Sequence, residues 1–265
     1  MPLNRDQVKA KLLGLRKTVE EFEVIFSGKK SRKVDGLYKP ASREIILHTG
    51  NFTNDDELVY TAIHEYAHHL QFTGSAVPVS AKAHTTAFWS LFHELLFEAE
   101  ATGLYRSPFE GIPAFAELTR EIREKFLTTS GSLMKELGRL LAKAHELCDR
   151  HGTSFGDYVD RVLGLPRTSA QVILKAHRQD LDPRVGFENM RQLTAIRDDG
   201  DRAKAQAALL SGRTPDMVKA AYGARPKPKD PRAELEEERS RIRRTIKRLQ
   251  ERLKEIDRRL DGEET

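Results

Sequence analysis

Residues 64–68, which read HEYAH, constrain the fold of this chain more than any other segment. Residues four apart on an α-helix lie one turn above each other, so His64 and His68 can bind one metal ion if the segment is helical. Glu65 then lies roughly 100° around the helix, where its carboxylate can reach water at that ion. Apolar residues surround the motif, which predicts a helix that forms part of a core.

The residues before the motif predict strands followed by a helix. Residues 43–48 are a short β-branched run that ends in a turn, and residues 21–26 indicate a second strand. Residues 36–38 begin a third strand, which we expect to pair with the strand at 21–26. N-cap and acidic residues then introduce the motif helix, predicted over about residues 55–71. This order predicts a small α+β domain in which a short antiparallel sheet lies beside the metal-binding helix.

A hydrolytic zinc site needs at least three protein ligands and leaves one position open. His84 is the first candidate for the third ligand, because it begins a segment that leads into a strongly apolar helix at 88–96. Glu98, or Glu94 one turn before it, is the alternative. His69 points away from the first two histidines because it is adjacent to one of them.

Two segments carry a resemblance to a known family. Residues 64–69 (HEYAHH), followed by residues 84–89 (HTTAFW), resemble the SprT-like and WLM-type zinc metallopeptidases, in which a third histidine precedes a Phe-Trp pair. The resemblance covers roughly residues 25–100, and we expect the zincin-like domain to span residues 1–108. It implies that zinc is bound by His64, His68 and His84 and that Glu65 is the catalytic base.

The ligand set predicts a mechanism of peptide hydrolysis. Glu65 would take a proton from the attacking water and pass it to the leaving amine. For the group that stabilises the oxyanion, the nearby candidates are Tyr60, Tyr66, His93 and Tyr105, and spacing favours none of them.

Composition narrows the protein class. No apolar run approaches the about 20 residues of a membrane-spanning helix, and residues 1–6 lack the apolar core of a signal peptide. The single cysteine, Cys148, excludes an internal disulfide and fits a reducing compartment. We therefore expect a cytoplasmic protein. A net charge of +5 on 265 residues is only a mild indication of nucleic-acid binding.

Residues 109–222 predict an all-α region. Apolar residues recur at helical spacing in 115–126 and again in 133–148, which predicts two amphipathic helices. Further helices are expected between residues 190 and 210 and in a last short segment that ends at Tyr222.

A helix-turn-helix pattern lies within this region. A short helix at 155–164 ends at glycine, a turn follows at 165–168, and a second helix is expected at 169–178 with Thr168 or Ser169 as its cap. The pattern resembles the small DNA-binding modules of phage and plasmid regulators, whose second helix enters the major groove. An ordinary packing unit is the alternative. The resemblance implies that duplex DNA contacts Arg167, Thr168, Ser169, Gln171 and Lys175.

The C-terminal segment predicts a linker and a long helix. Residues 223–231 contain three prolines and predict the linker. In residues 232–261, apolar residues from Ile242 onward alternate in steps of three and four, which predicts a coiled-coil-type helix. It would form a homodimer or dock on the protein's own body. Acidic residues at 234–238 precede basic residues at 241–248, which suits antiparallel pairing or contact with a polyanion.

The leading interpretation is a cytoplasmic zinc endopeptidase that acts on a DNA-associated or partner protein through its helical C-terminal half. The alternative is a DNA-binding regulatory protein with a structural or inactive zinc site. Glu65 favours the enzyme, because a structural site has no use for a carboxylate beside its ligands and fills all four positions with protein groups.

Overall fold

The computed structural model describes residues 3–16, 18–75, 83–223 and 231–261. These residues are mostly helical and include a small three-stranded mixed sheet, which confirms the α+β class. In the described ranges, no helix has an apolar stretch long enough to span a membrane.

The described elements follow in this order. The strands are β1 (Glu23–Phe26), β2 (Gly36–Lys39) and β3 (Glu44–Leu47). The helices are α1 (Arg5–Leu15), α2 (Asp55–Gly74), α3 (Thr86–Ala101), α4 (Pro108–Gly111), α5 (Pro113–Glu121), α6 (Thr129–Arg150), α7 (Phe155–Asp157), α8 (Arg167–Arg178), α9 (Phe187–Leu193), α10 (Asp199–Leu210), α11 (Pro215–Tyr222) and α12 (Pro231–Asp261). Short 3₁₀ turns lie at Thr49–Asn51 and Pro183–Val185, and π-helical turns lie at Ile122–Thr128 and Tyr158–Val162.

The sheet is mixed, so the prediction of an antiparallel sheet is wrong. The central strand is β3, which runs parallel to β1 and antiparallel to β2. The predicted pairing between residues 36–38 and 21–26 is also wrong, because β2 pairs with β3 instead. A four-residue turn joins β2 to β3 and favours their hairpin. Ile45 and Leu47 of β3 are completely buried, which suits the centre of the sheet.

A single core joins α1, the sheet, α2 and α3. Its largest fully buried side chains include Phe22, Tyr66, Phe88 and Phe92. The metal-binding helix predicted over about 55–71 is α2, whose N-terminus is capped by a bond from the Glu57 N–H to the Asn54 side chain at 2.9 Å. Because α2 lies between the sheet and α3, its apolar face is buried and its histidines lie at the edge of the core.

The two ranges predicted to be helical, 115–126 and 133–148, are helical in the structure and belong to one uninterrupted stretch. A π-helical segment, Ile122–Thr128, joins α5 to α6. Gly131 lies inside α6. It allows a close approach, because a Cβ atom there would collide with the backbone of Pro183.

The second helix of the helix-turn-helix pattern begins two residues earlier than predicted. It is α8, which starts at Arg167 directly after Pro166, so neither Thr168 nor Ser169 is its cap. Proline at the N-cap suits this start because its φ angle of −60° is compatible with the extended conformation found there. α8 packs mainly against α6.

The helical region packs back on the first core through α11 and α3. His93 of α3 lies 3.1 Å from the Thr214 hydroxyl, measured from its Nδ1 atom. The guanidinium of Arg213 lies over the ring of Phe97, 4.3 Å from its centroid. The remaining helices enclose two smaller clusters of buried residues. Most of the predicted linker, residues 224–230, lies outside the described residues.

Candidate metal centre

Three histidines converge at the edge of the first core. His64 and His68 lie one turn apart on α2, and His84 lies just before α3. The Nε2 atom of His84 is 3.1 Å from the Nε2 atom of His64 and 3.1 Å from that of His68. The structure therefore brings together the three side chains predicted to bind zinc.

The geometry and charge of this cluster fit a tetrahedral metal ion. Zinc–nitrogen bonds of about 2.1 Å separate neighbouring ligand atoms by about 3.4 Å, close to the distances here. Burial, together with the charges of His68 and His84, lowers the pKa of His64 to about 4. Burial and the charge of His84 lower the pKa of His68 to about 4. Near neutral pH the imidazoles of His64 and His68 are therefore uncharged, which is the form that binds metal.

Aromatic residues at the start of α3 hold the imidazole rings in place. Phe88 stacks on His68 with the ring centroids 4.3 Å apart, and Trp89 stacks on His84 at 5.5 Å. Thr85 caps α3 by accepting a bond from the Phe88 N–H at 3.3 Å. This cap and the two rings explain why a histidine followed by Thr and then Phe-Trp produces a defined ligand position.

The alternative third ligands lie elsewhere. Glu94 and Glu98 both pair with Arg16, Glu94 at 3.3 Å. His69 is completely buried and faces away from the cluster: its Nδ1 lies 3.1 Å from the Tyr38 hydroxyl. These contacts leave His84 as the third member of the cluster in the described structure.

Glu65 borders the same cavity as the three histidines. This cavity, about 530 Å³ in volume, lies between α2 and β2. The Glu65 side chain is buried, and burial raises its pKa to about 7, although a hydrogen bond from the Tyr38 N–H opposes the shift. Gly36 permits this approach, because a Cβ atom there would lie 2.9 Å from Cγ of Glu65. The strand thus holds the carboxylate beside the histidines.

One of the four oxyanion candidates lines the cavity. Tyr60 borders it and packs edge-on against Phe92, with centroids 5.4 Å apart. Tyr66 is completely buried in the core, and His93 is hydrogen bonded to Thr214. Tyr105 lies behind Tyr60, 6.0 Å away between ring centroids.

Sequence reasoning missed Gln71, which lies three residues after His68 on the same helix. Its Nε2 donates to the Ala83 carbonyl at 3.1 Å, directly before His84. The Oε1 atom of Gln71 and the Nδ1 atom of His68 are both buried, and neither has a hydrogen-bond partner within the described part of the chain. The nearby Gln71 side chain opposes, but does not overcome, the lowering of the His68 pKa by burial. Its i+3 spacing from a ligand is the signal that would have found it.

Replacing Gln71 by alanine should weaken zinc binding about 10- to 100-fold, because outer-shell partners orient the ligating imidazoles. Competition with a chromogenic chelator measures the affinity. Gln192→Ala is the matched control, since Gln192 also donates to a backbone carbonyl, that of Pro215 at 2.9 Å, and neither residue lines the cavity that holds the three histidines. Equal affinity in wild type and Gln71→Ala would show that Gln71 does not position the site.

The residues predicted to contact DNA are all exposed on α8. Two of them have partners within the chain. Arg167 pairs with Asp160 at 2.5 Å and with Asp157 at 3.2 Å, and Lys175 donates to the Thr194 carbonyl. Thr168, Ser169 and Gln171 complete the exposed set.

In comparisons with known proteins, no family model, curated protein or solved structure matches this chain. The resemblance to the SprT-like and WLM-type metallopeptidases therefore rests on the residues of the motif and on their spacing.

Proposed function

We propose that the protein is a zinc-dependent endopeptidase with a zincin-like catalytic region. The proposal depends mainly on one observation, the convergence of the Nε2 atoms of His64, His68 and His84 beside the carboxylate of Glu65. Three histidines leave a fourth position open at a tetrahedral ion, as catalytic sites require.

A zinc ion held by these histidines would polarise a peptide carbonyl and lower the pKa of water to near 7. Glu65 would act as the general base that removes the proton from the attacking water. It would then act as the acid that protonates the leaving nitrogen. The Tyr38 N–H and the close contact with Gly36 hold the carboxylate in position for both transfers. Tyr60 is the side chain we propose for contact with the oxyanion.

The substrate would bind as an extended strand along β2. Within the described ranges, β3 is the only strand that pairs with β2, and Gly36, Leu37 and Tyr38 line the cavity that holds the histidines. An edge strand presents backbone groups that an extended peptide can pair with. Such pairing would place a peptide bond of the substrate beside Glu65, with little dependence on the side chains of the substrate. We expect the helical half to recruit the substrate, which would be a DNA-associated or partner protein.

The alternative, a DNA-binding regulator with a structural or inactive zinc site, has less support. The histidine cluster has three members in the described residues, whereas structural sites use four protein ligands. Two carboxylates, Asp157 and Asp160, lie against Arg167 and offset its charge at the start of α8. DNA contact by α8 stays a prediction.

The proposal predicts hydrolysis that depends on metal. Zinc-loaded full-length protein should cleave members of a peptide library, with the new termini identified by mass spectrometry. A zinc chelator should abolish cleavage, because Glu65 alone does not activate water sufficiently, and added zinc should restore it. A protein that binds one zinc ion and leaves every library peptide and unfolded protein substrate intact would favour the alternative.

A further inference from the structure

The long C-terminal helix α12 has an apolar seam that the described part of the chain leaves uncovered. α12 runs without interruption from Pro231 to Asp261. Six of its apolar residues are 41–59% exposed: Leu235, Ile242, Ile246, Leu249, Leu253 and Ile256. A helix that docked on the protein's own body would bury this face, so the expectation of such docking lacks support in the structure.

The seam has heptad order. Leu235, Ile242, Leu249 and Ile256 are spaced seven apart and occupy position d, whereas Ile246 and Leu253 occupy position a. The same assignment puts Arg239 at an a position, which disfavours assemblies that would bury it completely. We infer that α12 forms a parallel, in-register, two-stranded coiled coil with α12 of a second copy of the chain.

The charges beside the seam decide the direction. In a parallel pair, a residue at g faces the residue five places later in the other helix. Glu238 then faces Arg243, and Arg252 faces Asp257, and each pair occurs twice. No like charges face each other at these positions within the described seam.

The antiparallel arrangement is less favourable. When the same seam overlaps in full, positions e face each other, so Glu236 lies opposite Asp257 of the other chain. This repulsion offsets the attraction between opposite charges that face each other near the helix ends in the antiparallel pair. In the parallel pair, the two Arg239 side chains share a layer, but each lies next to Glu238 of the other helix. Such a charged layer costs stability and fixes the register.

A parallel pair has a consequence for the rest of the molecule. The N-termini of both α12 helices lie at the same end, so residues 3–223 of both copies are tethered at that end. Only the next consequence rests on the proposed function: two metal centres would then act near one another on a substrate held by either copy. The coiled coil itself does not depend on the proposed peptidase activity, since it concerns only the assembly.

Disulfide trapping in the full-length protein tests the direction. In a parallel pair, Ile242→Cys places two thiols in one layer, within the Cα separation of about 4.4–6.8 Å that a disulfide needs. In the antiparallel pair, the same cysteines lie on the order of 16 Å apart along the helices. Ser240→Cys, on the outer face, is the matched control, and the wild type controls for Cys148. Covalent dimer from Ile242→Cys alone supports the inference, and a dimer without this crosslink overturns it.

Sedimentation equilibrium tests the second copy and the charge pairs. The wild type should be a dimer, and Glu238→Arg should raise the dimer dissociation constant roughly tenfold, since it turns two attractive pairs into repulsive ones. The double variant Glu238→Arg/Arg243→Glu should restore most of the affinity. A monomeric, trimeric or tetrameric wild type, or no rescue by the double variant, would overturn the inference.

Discussion

Replacing Glu65 by glutamine is expected to lower the rate of peptide hydrolysis about 10²- to 10⁴-fold while the protein keeps its metal. Glutamine has nearly the same shape and can still accept the hydrogen bond from the Tyr38 N–H, so the contact between α2 and β2 should survive. It cannot take a proton from water. The loss should therefore appear in kcat, whereas zinc content and thermal stability stay close to the wild type.

Two measurements separate this role from a structural one. Zinc per chain, by elemental analysis, should be about one in both the wild type and Glu65→Gln. Glu94→Gln is the matched control, because Glu94 is a half-exposed carboxylate paired with Arg16 and should leave hydrolysis unchanged. Full activity in Glu65→Gln would assign the base to another residue. Loss of zinc in that variant would show that Glu65 holds the site together.

Replacing His84 by alanine is expected to remove zinc from the protein. Two imidazoles on α2 make a weak site, and Gln71 or Phe88 cannot replace the missing donor. The loss in affinity should exceed the 10- to 100-fold expected for an outer contact such as Gln71. Dialysis against a weak chelator, followed by elemental analysis, should find about one zinc ion per wild-type chain and almost none in the variant.

The matched control for this prediction is His151→Ala. His151 is exposed at the end of α6, and its replacement should leave zinc content unchanged. Equal zinc in His84→Ala and the wild type would mean that His84 contributes no ligand. If Glu94 or Glu98 then bound the zinc ion instead, its ion pair with Arg16 would have to break. Loss of zinc from the double variant Glu98→Gln/His84→Ala would identify Glu98 as the substitute ligand.

The candidate site could be predicted from sequence where it depends on local structure. The four-residue spacing of His64 and His68 on a helix, and the place of Glu65 beside them, follow from the helical period alone. His84 required the added pattern of a histidine before Phe-Trp, which the rings of Phe88 and Trp89 now explain. Gln71 could also have been predicted in this way, because it lies three residues after His68 on the same helix.

Contacts between distant segments could not be predicted in the same way. Gly36 lies 29 residues from Glu65, and only the packing of β2 on α2 shows why a side chain there would not fit. The strand order had the same difficulty. Each strand could be recognised from its own residues, but which strand lies at the centre depends on burial of Ile45 and Leu47 by elements elsewhere in the chain.

By itself, the sequence determined the helical character of the motif segment and of the C-terminal segment, the motif face of α2, the α+β class and the heptad seam of α12, because each depends on the spacing of nearby residues. Only the tertiary structure decided that the sheet is mixed and that His84 lies beside His64 and His68 of α2. It also decided that Arg16 forms ion pairs with Glu94 and Glu98 and that α11 packs on α3. The physical reason is that burial and partner choice are properties of the whole packed chain, and a segment's own residues do not specify them.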